Sequence, residues 1–403
     1  MASTSASVSR DRARRIACSR RTERGAHPRR ATGSRAQVST AASTFSSLPV
    51  LHLPDKDCTP EEETAFCGRL RDICHTVGFF YVTNHGIDAS TTADAMNSSR
   101  AFFALPHDVK QGIANINSPA FRGYVRLGAE NTAGRPDWRE QIEMGVEANA
   151  PHGGVDGNIY DVLVGPNQWP DETQCPGFKT SMTSFLDDMA TLSARLMELL
   201  AVSLDMPRDY FEDDFRGRPN VQAKIALCPP APEGSRDPSF GVGAHTDSGY
   251  LSLLLQDDVG GLQVQNGDGT WVDADPVDGA IVVNLGEMMQ LKTRGYYLAT
   301  PHRVVSKASP SPSRLSVPYF WNPRLDAVIE PMESLPATLT WLRQEPEAIA
   351  ETGSHGKGGN RLIGEYGANA LKSLARSHPE VMARHHPDLE VKPDGSVVRR
   401  ECS

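Results

Sequence analysis

His245 and Asp247 stand two residues apart in Gly241 to Gln256, GVGAHTDSGYLSLLLQ, a stretch that reads as a β-strand. Successive side chains of a strand point to opposite faces, so an imidazole and a carboxylate at this spacing project into the same space. They make two arms of a metal clamp. A mononuclear iron that activates oxygen takes two His and one carboxylate on one face of its octahedron and leaves the opposite face open. The best third arm is His302, in the β-rich stretch ATPHRVVS. Beyond it, Arg314 and Ser316 in SRLSVPYFWNP repeat the strand spacing and offer a guanidinium fork and a hydroxyl to a carboxylate.

The order His-x-Asp, distant His, Arg-x-Ser, together with GFFYVTNHGI at Gly78 to Ile87, resembles the iron(II) and 2-oxoglutarate-dependent dioxygenases, in particular the isopenicillin N synthase-like group. The resemblance spans about Leu48 to Leu389. It implies Fe(II) on His245, Asp247 and His302, and 2-oxoglutarate as cosubstrate with its C5 carboxylate on Arg314 and Ser316. The implied reaction oxidises a small-molecule substrate with dioxygen, by hydroxylation, desaturation or ring closure, and releases succinate and carbon dioxide. In resembling proteins the region Phe121 to Gly145 lies over the mouth of the active site, which makes Arg122 and Tyr124 candidate substrate contacts. Phe320, after the Arg-x-Ser strand, is either packing or a further contact. There is one departure from the pattern. Plant members carry Asn and Tyr in the strand before Pro-Pro, whereas KIALCPP has Ala226 and Cys228 there, so Arg314 is expected to matter more in this chain.

Such a site needs a rigid framework, and the chain supplies its signals in order. Thr59-Pro60-Glu61-Glu62 is a capping sequence that predicts a helix to about His75, with Phe66, Leu70 and Ile73 on its core face. Gly78 to Asn84 reads as a buried strand, and His85 beside Gly86 at its end reads as structural. Residues 89 to 115 predict two short helices broken at Leu105-Pro106. A long helix from about Gly177 to Leu204 carries Met182, Phe185, Met189, Leu192, Leu196 and Leu199 at spacings of three and four, a packing stripe that should brace a sheet. From Val221 the pattern turns to strands: VQAKIALC, LSLLLQ, LQVQ, TWVDA, GAIVVNL, LATPHRVV and SRLSVPYFW, with Gly260-Gly261, Asn266-Gly267 and Asp268-Gly269 as turns. The expected class is α+β and β-rich, a double-stranded β-helix (jelly roll) core flanked by helices. The C-terminal EYGANALKSLARSHPEVMARHHP predicts a helix plus tail, with His378, His385 and His386 in solvent.

Four regions follow: a leader over 1–45, a helical and strand region over 46–215, the jelly roll over 216–330, and a C-terminal helix and tail over 331–403. In the leader ten arginines face only Asp11 and Glu23, a formal +8, which leaves −17 on the rest of a chain whose net charge is −9. An Arg-rich, Ser-rich, acid-poor start is the composition of a transit peptide for a chloroplast or mitochondrion. Without cleavage it reads as a disordered tail on a cytoplasmic protein. No nucleic-acid partner is expected, because the acidic body offers no second basic surface. No stretch nears the roughly 20 apolar residues of a membrane span, so no membrane partner is expected either, and the chain reads as a monomer. Its seven cysteines are scattered without paired CxxC spacing, which fits a thiol-tolerant compartment and not a structural zinc site.

Other readings stay open at this stage. One is an iron oxidase of the same fold that does not use 2-oxoglutarate, and another is a non-catalytic metal-binding ligand sensor. A zinc hydrolase on the same triad lacks a general base nearby.

Overall fold

The computed structural model describes residues 44–132, 135–149, 157–233, 240–336, 339 and 362–400. The leader lies outside the described residues except for its last two positions. There Phe45 is already anchored: its amide donates to Asn266 Oδ1 at 3.1 Å, and Asn266 Nδ2 donates back to its carbonyl at 2.9 Å.

Strand β1 (Val50–His52) precedes helix α1 (Pro60–Thr76). The cap is reciprocal, as its residues predict: Thr59 Oγ1 accepts from the Glu62 amide at 3.3 Å, and Glu62 Oε2 accepts from the Thr59 amide at 2.8 Å. Gly78 links α1 to β2 (Phe79–Thr83) with a φ of +67°, and a side chain there would run into the Leu298 carbonyl. Helices α2 (Ala89–Phe103) and α3 (His107–Gly112) follow, separated at Leu105-Pro106. Next come β3 (Gly123–Val125), β4 (Asn131–Thr132), β5 (Arg135–Pro136) and β6 (Glu140–Gly145). The long helix α4 (Phe178–Ser203) and the short α5 (Glu212–Phe215) complete this half.

The strand-rich half supplies β7 (Asn220–Cys228), β8 (Phe240–His245), β9 (Leu251–Gln256), β10 (Leu262–Gln265), β11 (Trp271–Asp273) and β12 (Ile281–Leu285). Helix α6 (Glu287–Lys292), β13 (His302–Val305) and β14 (Arg314–Asn322) follow. Two sheets result. The larger runs β1-β2-β12-β9-β14-β7-β6-β3, and the smaller runs β11-β10-β13-β8. Strands from 46–215 thus share one sheet with strands from 216–330.

Alternation along the strands divides the apolar residues between two cores. Phe79, Tyr81 and Val282 point inward to meet Val242, Leu262, Val264 and Val304 of the smaller sheet. Phe80, Val82, Ile281, Val283 and Leu285 point outward into the core that also takes Met182, Phe185, Met189, Leu192, Leu196 and Leu199 of α4. Burial on both faces is why FFYV and IVV are continuous apolar runs. Each such side chain, fully buried, contributes roughly 1.5–3 kcal/mol. The helix stripe therefore braces the sheet that carries the site.

The C-terminal region departs from expectation. It forms α7 (Tyr366–Ser377), α8 (Pro379–His385) and a hairpin of β15 (Leu389–Val391) with β16 (Val397–Arg399). His378 and His386 are buried rather than solvated. His386 Nε2 lies 2.7 Å from the Pro119 carbonyl and its ring stacks on Phe121, while His385 Nε2 lies 2.8 Å from the Ile116 carbonyl. These histidines satisfy a loop far away in the chain, a role that local polarity does not reveal. Among the described residues no helix is long and apolar enough to cross a membrane.

Candidate metal centre and cavity

Strands β8 and β13 pair antiparallel, with His302 the direct partner of His245 across the ladder. The ring centroids are 4.3 Å apart. Asp247 corrects the strand argument: β8 ends at His245, and Asp247 lies in the turn to β9. What holds it is the start of α6, where the Glu287 amide donates to the Asp247 carbonyl at 2.7 Å and the Met288 amide to the Gly249 carbonyl at 3.1 Å. Gly249 must be bare, since a Cβ there would strike Asn322 Oδ1.

Hydrogen bonds then aim each ligand atom. Asp247 Oδ2 accepts from Ser252 Oγ at 2.6 Å and from Asn284 Nδ2 at 2.8 Å. Its Oδ1 is left 3.7 Å from His245 Nε2 and 3.8 Å from His302 Nε2. A carbonyl can only accept, so the Nδ1 atoms, 2.8 Å from the Gly243 carbonyl in His245 and 3.2 Å from the Thr300 carbonyl in His302, must carry the protons. Both Nε2 atoms therefore face Asp247. Burial, with His302 adjacent, lowers the His245 pKa to about 4, so the ring is neutral at pH 7. Burial alone would raise the Asp247 pKa, but the two imidazoles and the Asn284 and Ser252 hydrogen bonds outweigh it and keep the carboxylate ionised. Two atoms each about 2.1 Å from one ion stand at most about 4.2 Å apart, which these separations satisfy. Two imidazole nitrogens and one carboxylate oxygen fit a divalent iron with open positions.

The three ligand atoms face a cavity of about 600 Å³. One wall is built by period-two faces of adjacent strands: Gln222, Lys224, Ala226 and Cys228 on β7, and Arg314, Ser316, Pro318, Phe320 and Asn322 on β14. Arg314 is 4% exposed; its Nη1 donates to Ser316 Oγ at 2.7 Å and its Nη2 to Gln256 Oε1 at 3.0 Å. No described carboxylate lies within 4.0 Å of it, and its Nε has no partner. Burial lowers its pKa, so the site would gain from an incoming carboxylate. The expected fit to 2-oxoglutarate thus stands on a buried, uncompensated fork.

Arg314, Ser316 and Phe320 share the cavity with the triad, but Arg122 and Tyr124 do not line it. Strand β3 is the far edge of the sheet, with β6 and β7 between it and β14. Tyr124 spends its hydroxyl on Glu140 Oε2 at 2.6 Å, and Arg122 donates to the Met144 and Leu163 carbonyls. Gln222, Lys224 and Asn322 line the cavity unforeseen, although simple alternation from Ala226 and Ser316 could have found them. Glu130 and Arg139 also line it, from the stretch Phe121 to Gly145 expected over its mouth, and so do Tyr366 and Arg376, which have no local signal.

Glu130 and Lys224 belong to a buried charge network. Lys224 Nζ lies 2.9 Å from both Glu130 and Glu143, Arg139 lies 2.6 Å from Glu130 and 3.2 Å from Asp137, and His378 Nε2 lies 2.9 Å from Glu143. Glu130, Glu143 and His378 approach closely enough to suggest a second metal cluster. The Lys224 ammonium already sits on both carboxylates, so this is an ion-paired wall.

Residues 48–172 match the family described as non-haem dioxygenase in morphine synthesis N-terminal, and residues 220–323 match the 2OG-Fe(II) oxygenase superfamily. The 2-oxoglutarate-dependent dioxygenase frbJ of Dothideomycetidae sp. (strain 11243) is 37% identical, over 84% of this chain and 91% of its own length. The chain belongs to the 2OG-Fe(II) oxygenase superfamily. Within it, this oxygenase falls in the isopenicillin N synthase-like group. A homoarginine-6-hydroxylase of Arabidopsis thaliana is 34% identical over 72% of this chain and 89% of its own. A full-length Neurospora crassa protein crystallised in complex with alpha-KG and thymine superposes with a TM-score of 0.65 at 25% identity, over 84% of this chain and 99% of that one. The oxygenase is therefore an oxidoreductase that uses Fe(II), 2-oxoglutarate and dioxygen on a small molecule. These relatives are oxygenases rather than hydrolases or sensors.

Proposed function

We propose that Nε2 of His245 and of His302 and the Asp247 carboxylate hold the iron(II), that Arg314 and Ser316 hold the C5 carboxylate of 2-oxoglutarate, and that the substrate is a small polar molecule of the amino-acid kind. One observation carries the reading: the converging ligand atoms of the triad and a buried guanidinium with no described carboxylate within 4.0 Å share one cavity. When bound, iron(II) and 2-oxoglutarate supply the oxidising power of dioxygen, with succinate and carbon dioxide as by-products. The Gly243 and Thr300 carbonyls lock the imidazoles, and Ser252 and Asn284 aim Asp247. Phe79 meets the His302 ring edge-on at 5.1 Å and shields it from water. The substrate is met by Gln222, Lys224 and Asn322 on the wall, with Glu130 and Arg376 beside them. A wall of this polarity suits charged groups better than a terpenoid skeleton, and relatives named homoarginine-6-hydroxylases support the same class.

Purified His245→Ala or His302→Ala protein should lose stoichiometric iron and keep its circular dichroism spectrum; wild-type iron occupancy in either would sink the ligand assignment. Succinate release should respond to amino acids in a panel that also holds phenolics and terpenoids. Turnover confined to the uncharged members would overturn the substrate class.

The same reading takes the +8 leader as an import signal for a chloroplast or mitochondrion, and the acidic body as a monomer without a nucleic-acid partner. An intact Ser3 to Arg35 segment on the native protein, by mass spectrometry, would count against import with cleavage.

A further inference from the structure

Among the described residues only two arginines are buried, Arg122 and Arg314, each 4% exposed. Neither has a described carboxylate within 4.0 Å. Arg314 has its explanation in the cosubstrate. Arg122 has none there, because it lines a different cavity, of about 410 Å³.

Among the described residues the guanidinium of Arg122 is held by carbonyl dipoles. Its Nη1 donates to the Met144 carbonyl at 3.2 Å and its Nη2 to the Leu163 carbonyl at 3.1 Å, while its buried Nε has no partner. Glu143 and Glu147 act on it from a distance, and burial brings its pKa down to about 10. A buried charge without a counter-ion is costly, and a bound anion relieves that cost. The rim adds to the pull: Arg216, Arg218 and Arg324 join Arg122 against Asp161 and Asp326, a formal +2. Arg216 is paired with Asp213 at 2.5 Å and Arg324 with Asp326 at 2.9 Å, but Arg218 pairs with no described residue.

We propose that the cavity over Arg122 is a second binding site, separate from the metal cavity, for a small molecule bearing a carboxylate or phosphate group. Guanidinium forks match both oxyanions bidentately. The two cavities share a wall, since Asn220 lines this one and donates at 3.5 Å to the hydroxyl of Tyr366, which lines the other. The site goes beyond the oxygenase reading and does not depend on the metal.

The test is anaerobic calorimetry on the full-length, iron-loaded protein saturated with 2-oxoglutarate, so that the Arg314 fork is already filled. Inorganic phosphate and glutarate are the probes, and at least one should bind at a single site with Kd below about 1 mM. Phosphate alone binding assigns phosphate esters, and glutarate alone assigns carboxylates. Arg218→Gln, an exposed rim change that keeps the fold, should weaken binding about tenfold. Arg122→Met should abolish it, with Arg218→Gln carrying the test if that variant does not fold. Arg314→Gln should leave the binding in place. No binding of either probe overturns the proposal, and so does binding that Arg314→Gln removes and Arg218→Gln does not.

Discussion

Cys228 stands directly across the β7–β14 ladder from Arg314, and Ala226 stands across from Ser316. Burial raises the Cys228 thiol pKa, so this side chain offers a weak neutral donor in place of a phenol. On the proposed assignment the fork of Arg314 then carries most of the hold on the distal carboxylate, and a lysine, a point charge on a flexible stem, does not reproduce it. Hydrogen bonds to charged groups are worth about 1.5–3 kcal/mol, so Arg314→Lys should weaken apparent 2-oxoglutarate binding roughly ten- to a hundredfold. Iron content should hardly change. The 2-oxoglutarate dependence of succinate release measures the first, and an unmoved half-saturation would assign the carboxylate to another cation.

Asp247 Oδ1 is aimed by what Oδ2 accepts, from Ser252 and Asn284. Asn284→Leu should therefore lower iron affinity by about 10–100-fold, the usual effect of losing an outer partner of a metal ligand. A competition titration with a colorimetric chelator reads this. Wild-type affinity in Asn284→Leu would mean that the α6 turn alone orients the carboxylate.

How legible the molecule was depends on how local each signal is. His245, His302, Arg314 and Ser316 announce themselves through residue type and spacing, and Thr59 to Glu62 writes its own cap. Asp247 lies beyond the end of the strand predicted to carry it, and what places its carboxylate beside His245 is the start of α6 with Ser252 and Asn284, none of which is adjacent in sequence. Arg122 and Tyr124 misled because a polar, aromatic, Gly-rich stretch looks like a pocket rim, while the strand order that sends β3 to the far edge is a long-range property. The wall at Lys224 needed only the alternation carried one step further. The burial of His378 against Glu143 required the whole fold.

The His378 contact gives a pH prediction. Burial opposes a charged ring there, but Glu143 and Glu130 outweigh it, and the pKa is raised above 6.5. A raised folded-state pKa contributes stability that is complete below 6.5 and is lost as pH rises through the higher value. Glu143→Gln should bring the His378 pKa down in an NMR titration and flatten the fall of stability on the alkaline side of 6.5. Equal pKa values in wild type and variant would break the assignment.

The cap of α1 is a local test of stability. Thr59→Ala removes the acceptor for the Glu62 amide, and should cost about 1 kcal/mol in denaturant titration. Activity at a temperature well below the transition should be unaffected, since α1 lies on the outer core. A loss of turnover in this variant would show that α1 is coupled to the cavity.

The three ligand atoms do not belong to one sheet. His245 and His302 are facing ends of a ladder in the smaller sheet, whereas Asp247 is moored through Ser252 on β9 and Asn284 on β12 to the larger one. An ion gripped by all three acts as a rivet through the sandwich, and metal loading and folding become one linked equilibrium. At a free metal concentration about 100 times Kd the linkage adds about 2.7 kcal/mol to the unfolding free energy. Amide exchange along β8 and β13 then becomes a gauge of how full the centre is.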